Sequence, residues 1–235
     1  MGFQFQQFFV ADDRCAMKVG TDGILLGAWA KIELAQHILD IGTGCGLLAL
    51  MAAQRNPAAQ IQSVESDTEA AQQAAGNFRQ SPWPGRLQVW NMAIQEFAPQ
   101  DSKFDSILCN PPFFTNGLLA ADDSRRKARH SVELSLEELF AAVKRMLADQ
   151  GSFSMIWPAT SAAAAMQAAD TAGLKLSRRT NVCPLPGLPP KRVLLEFGFQ
   201  SVDLVDERLT IELSKHVYTD ACRQLTGEFY LSKTV

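Results

Sequence analysis

Leu39-Asp40-Ile41-Gly42-Thr43-Gly44-Cys45-Gly46 reads as a buried strand running into a turn with glycine at alternate positions, and Leu47–Arg55 then carries helix formers until Asn56-Pro57 stops them. Glycine lets a backbone come close to a ligand, and the start of the next helix presents unpaired N–H groups. A dinucleotide fingerprint places its third glycine three residues after the second. Here Gly46 follows Gly44 by two, which disfavours a nicotinamide cofactor. Nineteen residues beyond Gly46, at the end of the next apolar run, stands Glu65. An ionised carboxylate is acceptor-only and can serve two donors, which suits the paired hydroxyls of a ribose. Asp67 is a neighbouring alternative for that role.

Around this unit, short apolar runs alternate with helical stretches, the signature of parallel strands joined by helical crossovers. Strands are expected at His37–Ile41, 61–65, 87–90, Phe104–Cys109, 151–157, 174–182 and 193–199, the last as an edge strand paired with the one before it. Helices are expected over 47–55, 68–79, 134–147 and 161–172, and a further one over the small, apolar residues 20–30. The resulting fold is α/β: a seven-stranded, mostly parallel sheet with one antiparallel edge strand and helices on both faces. One domain spans 1–235, with an extension over 1–36 packed on the cofactor side and a catalytic core over 37–235.

Composition bounds the function. The chain has 235 residues, 47% of them hydrophobic, and 22 Lys+Arg against 25 Asp+Glu give a net charge of −3. Nucleic acid is therefore held, if at all, by local basic patches and not by the charge of the whole protein. Five cysteines without a C-x-x-C pair suggest neither a disulfide scaffold nor a zinc module, and no metal is expected. His37, His130 and His216 have no metal or triad partners at usable spacing. No secretory or membrane-spanning segment is expected, which suggests a cytoplasmic protein with reduced thiols. The oligomeric state is not legible.

Asn110-Pro111-Pro112-Phe113 stands at the carboxyl end of the fourth strand, 64 residues after Gly46. Open parallel sheets bind their ligands at that edge. An exocyclic amine is a poor nucleophile because its lone pair is delocalised into the ring. The Asn110 side-chain oxygen and the Pro111 carbonyl can accept its two N–H groups and stabilise the charge that develops on nitrogen. The prolines, Pro112 among them, fix the turn, and Phe113 offers a face on which a base stacks. On residues alone the acceptor is an adenine N6, a guanine N2 or a glutamine amide.

The Asp40 turn with Gly42, Gly44 and Gly46 resembles the first motif of class I S-adenosylmethionine-dependent methyltransferases, whose fold is Rossmann-like. The Asn110–Phe113 string resembles the [N/D/S]-P-P-[Y/F/W] motif of amino-methyltransferases. More narrowly, Phe8-Phe9-Val10, the run from Asp13-Arg14-Cys15-Ala16-Met17-Lys18-Val19-Gly20-Thr21-Asp22-Gly23 to Trp29, Ser81-Pro82-Trp83, Asn110–Phe113 and Ala128-Arg129-His130 resemble the bacterial tRNA1(Val) (adenine-37-N6)-methyltransferases. The resemblance covers most of the first 160 residues and, more weakly, the C-terminal part, and implies methyl transfer from S-adenosylmethionine to N6 of adenosine 37, in the anticodon loop of a valine tRNA. Guanine-N2 methylation of ribosomal RNA, glutamine methylation of a protein and a non-enzymatic RNA-binding module are the alternatives.

The resemblance implies cofactor contacts from Lys18, Thr21, Asp40, Gly42, Thr43, Gly44, Gly46, Glu65 and Asn110. Asp22, Phe8 and Phe9 are further candidates to close over the cofactor. Where the family carries Asp in a D-I-Q pattern near the cofactor's adenine, this chain has Met92-Ala93-Ile94-Gln95, so recognition there falls to backbone and neighbouring groups at Ala93 and Ile94. Phe113 stands where many adenine enzymes have Tyr. For RNA, Arg125, Arg126, Lys127 and Arg129 form a basic segment beside the base pocket. Lys191 and Arg192, with Lys175, Arg178 and Arg179, form a second basic patch.

Overall fold

A computed structural model describes residues 2–99, 103–111 and 134–231. In chain order the elements are β1 (Gly2–Gln4), β2 (Phe9–Ala11), α1 (Thr21–Trp29), β3 (His37–Ile41), α2 (Leu47–Arg55), β4 (Gln60–Glu65), α3 (Thr68–Gln80), β5 (Leu87–Asn91), β6 (Phe104–Cys109), α4 (Leu136–Met146), β7 (Leu147–Pro158), α5 (Ala162–Ala172), β8 (Lys175–Cys183), β9 (Arg192–Gly198), β10 (Val205–Thr210), β11 (Glu212–Ser214), β12 (Val217–Tyr218) and α6 (Asp220–Thr226). Eight strands form the main sheet in the order β10-β8-β9-β7-β6-β3-β4-β5. β3 pairs in parallel with both β4 and β6, so successive strands run to one side from β3 and to the other from β6. The β3/β6 boundary is the topological switch point, where a crevice opens above the strand ends.

Both sheet faces are apolar, as buried parallel strands must be. Ile38, Ile61, Leu108, Ile156 and Leu194 face one cluster with α1, α2 and α3, while Leu39, Ile41, Val64, Ile107, Phe153 and Leu195 face the other with α4 and α5. In α1 every residue from Gly23 to Trp29 is buried, so this helix is a core element and not a surface one. Phe8 is core as well, stacked on Phe5 at 4.7 Å and edge-on to Trp83 at 5.9 Å, whereas Phe9 is exposed. The capping box of Ser135 and Glu138 starts α4, each side chain accepting from the other's backbone N–H, at 3.1 and 2.9 Å.

Three expectations need correction. The sheet has eight strands, not seven, because β10 pairs in parallel with β8. Its Val-Asp-Glu-Arg-Leu-Thr pattern buries only Leu209, and it is held by backbone pairing and by contacts such as Asp206 with Arg179. The antiparallel β9 is not at the edge: it lies between β7 and β8, filling the gap that the α5 crossover leaves. β7 begins at Leu147, inside the stretch expected to be helix. Its register against β6 shifts between Phe104 and Ser106, and the irregularity over Asp149-Gln150-Gly151 disguises the strand's start as a turn.

The turn after β3 is braced from below. Asp40 is fully buried, and its Oδ2 accepts from the Thr43 hydroxyl at 2.5 Å while its Oδ1 has no hydrogen-bond partner among the described residues. Burial pushes the Asp40 carboxyl up to about 7, with the nearby Glu65 charge adding to the rise against the pull of its hydrogen bonds. Gly46, at φ 88°, lies against Phe78, whose Cε1 would be 2.5 Å from an added Cβ.

Gly46→Ala combines left-handed backbone strain with a clash, and is expected to cost about 2–4 kcal/mol of unfolding free energy, read from urea midpoints. Asp40 binds a proton in the folded state up to about pH 7, whereas its unfolded value is 3.8. Its contribution to stability is therefore complete below that unfolded value and is lost as pH rises through 7. Asp40→Asn is expected to flatten this fall, so that the urea midpoint of the variant gains on that of the wild type between pH 5 and pH 8.

Candidate active site

Ile41 and Cys109 are register partners at the ends of β3 and β6, so the next residues, Gly42 and Asn110, leave the sheet side by side. This pairing is what brings the glycine turn and the Asn-Pro turn together across 64 residues of sequence. A cavity of about 370 Å³ opens above them, lined by Gly42, Thr43, Gly44, Cys45, Leu47, Leu48 and Asn110, and on its far side by Met17, Lys18, Gly20, Thr21, Asp22 and Gly23.

The turn is hung from β4. The N–H groups of Gly42 and Thr43 both donate to the Val64 carbonyl, at 2.9 and 3.2 Å. Gly42 and Gly44 have φ values of 67° and 56°, and among the described residues a Cβ built on either would meet nothing within 4 Å. Side chains here would project into open space, so the missing atoms leave a smooth floor on which a ligand can rest. Glu65 Oε2 accepts from the Gly44 N–H and Oε1 from the Asp67 N–H, both at 2.9 Å. Each oxygen retains a second acceptor position, enough for two hydroxyl donors. Asp67 is otherwise engaged: its Oδ1 accepts from the Ala70 N–H as the N-cap of α3, at 2.9 Å.

Asn110 carries the sharpest chemical signal. Among the described residues its Oδ1 is buried without a hydrogen-bond partner, and its Nδ2 lies 3.7 Å from the Met17 sulfur. A buried carbonyl oxygen without a donor forfeits hydration for nothing unless a ligand supplies the donor. Pro111 is buried beside it.

Other expected residues fall in different places. Asp40 is not on the cavity wall; it supports the turn through Thr43. Ile94 is buried in the core, and Ala93 is half-buried in the turn after β5. Neither lines the cavity, which spans the β3 and β6 side of the crevice. Lys18 reaches the Asp12 carbonyl at 2.5 Å. Of the second basic patch, Lys175 pairs with Asp170, Arg179 with Asp206 and Arg192 with Asp22, while Arg178 pairs with Glu196 and stacks on Trp29 at 3.6 Å. Among the described residues Lys191 alone of the five has no acidic partner. Pro112, Phe113, Arg125, Arg126, Lys127 and Arg129 lie outside the described residues. Met17, Leu47 and Leu48 on the cavity wall were not singled out by sequence, since apolar residues carry no chemical signature.

The five cysteines are free and buried. Among the described residues no group of three or more His, Cys, Asp or Glu is placed to hold a metal ion, and no helix is long and apolar enough to cross a membrane.

The methyltransferase small domain model matches residues 20–169. The backbone resembles a predicted O-methyltransferase from Agrobacterium tumefaciens with a TM-score of 0.67 at 21% identity, covering 92% of this chain and 100% of that one. A type I restriction-modification methyltransferase subunit from Streptococcus thermophilus gives 0.63 at 13% identity, over 91% of this chain and 52% of that one. At this identity the likeness speaks to fold, which is the Rossmann-like class I methyltransferase fold, and S-adenosylmethionine is the cofactor of such enzymes. In sequence, the chain is 46% identical over 231 residues to a protein of Bacteroides fragilis, covering 97% of each. It is 47% identical over 230 residues to one of Phocaeicola vulgatus, over 98% of this chain and 97% of the relative. A protein of Klebsiella pneumoniae is 42% identical over 232 residues, 98% of this chain and 95% of the relative. All three carry the same name, and similarity at this level over nearly the whole of both chains places the protein in the tRNA1(Val) (adenine(37)-N6)-methyltransferase family.

Proposed function

We propose that the protein transfers a methyl group from S-adenosylmethionine to N6 of adenosine 37 in the anticodon loop of tRNA1(Val). It does so as one methyltransferase domain acting in the cytoplasm. The observation that carries this reading is the buried Asn110 Oδ1, without a hydrogen-bond partner among the described residues, at the edge of a cavity floored by the glycine turn. The residues fit the cofactor. Gly42 and Gly44 leave its resting place clear, Glu65 has acceptor capacity left for a ribose, and Lys18 and Thr21 line the opposite wall. When bound, the cofactor supplies an activated methyl on a sulfonium.

The chain's own part is to orient the amine. Asn110 Oδ1 accepts one N–H of the adenine amine and the Pro111 carbonyl accepts the other, so the nitrogen lone pair is turned toward the methyl and the positive charge that develops on nitrogen meets two oxygens. No base has to remove a proton before attack, and the proton leaves the product for solvent once the new C–N bond has formed. Phe113 stacks on the extruded base. Arg125, Arg126, Lys127 and Arg129 contact phosphates around it, and Lys191, with Arg192 beside it, extends that basic surface. The salt bridge with Asp22 holds Arg192 at the cavity rim and offsets its charge, so Lys191 carries the net charge of this patch.

Incubation with labelled S-adenosylmethionine and unmodified tRNA is expected to give N6-methyladenosine on nucleoside digestion, located at position 37 by mapping of nuclease fragments. Label recovered in guanosine or in protein would replace this reading with one of its alternatives. Asn110→Ala is expected to lower kcat by about 100-fold or more. Its Kd for S-adenosylhomocysteine, measured by calorimetry, stays within about threefold of wild type, because the lost contact is made to the amine.

A further inference from the structure

Two amides on one face of α3 hold the segment that walls the cavity. Gln73 and Asn77 are four residues apart, so their side chains leave the helix on the same side, and both are buried. Asn77 Oδ1 accepts from the Ala11 N–H at 3.1 Å, and its Nδ2 donates to the carbonyls of Ala11 and Cys45 at 2.8 and 2.7 Å. Gln73 Oε1 accepts from the Arg14 N–H at 2.9 Å and the Cys15 thiol at 3.2 Å, and its Nε2 donates to Asp13 Oδ1 at 2.9 Å. Beyond Ala11, residues 12–19 have no strand partner among the described residues, and their backbone groups need partners from elsewhere. The two amides stand in for a neighbouring strand. Asp12 then folds the segment back, its Oδ2 accepting from the Val19 N–H at 3.1 Å.

The consequence reaches the cavity at two points. The held segment carries Met17 and Lys18 onto its wall, and through the Cys45 carbonyl the same Asn77 grips the glycine turn that forms its floor. We propose that Gln73 and Asn77 are positioning residues for the methyl donor, which set its affinity by keeping residues 12–19 closed over the glycine turn and leave the transfer step itself untouched. This rests on the donor occupying that cavity. A wall ordered in advance spares the ligand the entropy of ordering it, and a wall that is in place only part of the time lowers apparent affinity by that fraction.

Gln73→Leu and Asn77→Leu keep a branched side chain in place of the amide and remove its polar contacts. Each is expected to raise the Kd for S-adenosylhomocysteine and the KM for S-adenosylmethionine about tenfold, with kcat at saturating donor within about twofold of wild type. Amide hydrogen exchange over 11–19 quickens, while that of β3 and β6 is unchanged. Gln73→Glu sets a carboxylate against Asp13 and raises Kd likewise. Asp13→Asn in that background restores it, a rescue that a general loss of stability would not produce. An unchanged Kd in the leucine variants, a loss of kcat with KM intact, or failure of Asp13→Asn to restore the Gln73→Glu protein overturns the proposal. If the wild type does not bind S-adenosylhomocysteine, the donor reading falls instead, and the exchange arm still decides whether the two amides hold the segment.

Discussion

The ladder between β3 and β6 ends with Ile41 opposite Cys109, and because a parallel pair carries both chains out of the sheet at the same edge, the turns that follow must share one crevice. Reversal of strand order at that pair keeps the crossover helices α2 and α4 on opposite faces of the sheet, so neither covers the opening. Gly42 and Asn110 therefore meet without any direct attraction between them. Their proximity is a product of hydrophobic strands and backbone hydrogen bonds.

Four arginines join elements to one another. Arg55 donates to the carbonyls of Gly27 and Ala30 at the end of α1, at 2.7 and 2.8 Å. Arg86 donates to those of Ala53, Asn56 and Ala59 around the end of α2, at 2.7, 2.8 and 3.0 Å. Arg145 on α4 gathers the carbonyls of Ile94, Gln95 and Phe97, at 3.0, 3.1 and 2.9 Å, and so sets the turn after β5. A guanidinium has five donors in a rigid fork, which suits it to collecting the orphan carbonyls at helix and strand ends. Arg178 does related work between α1 and the outer strands, donating to the Trp29 carbonyl while it pairs with Glu196.

Strands with strongly apolar sequences were legible to within a residue or so, as with His37–Ile41 and Phe104–Cys109. β10 was not, because an edge strand needs few apolar residues and its Asp206 and Glu207 serve Arg179 and Thr180 on β8. The start of β7 was hidden because a register shift imitates a turn. The basic patch around Lys175 and Arg192 looked free of acid along the chain, yet Asp22, Asp170, Glu196 and Asp206 reach it from other elements. Gln73 and Asn77 carried no signal at all, since amides on a polar-looking helix read as surface until the segment they hold is seen to lie against them.

Sequence alone determined the alternation of strand and helix, the glycine turn, the carboxylate at the end of β4 and the Asn-Pro turn, because each is a local matter of backbone freedom, side-chain chemistry and short-range periodicity. Only the tertiary structure decided that Asn110 is left with an oxygen unsatisfied among the described residues beside the glycine floor, that Asp40 is buried under the turn and not on its surface, and which cations are already neutralised. Those properties depend on which distant groups become neighbours. That is settled by sheet order and helix packing, through contacts whose partners lie tens of residues apart in the chain.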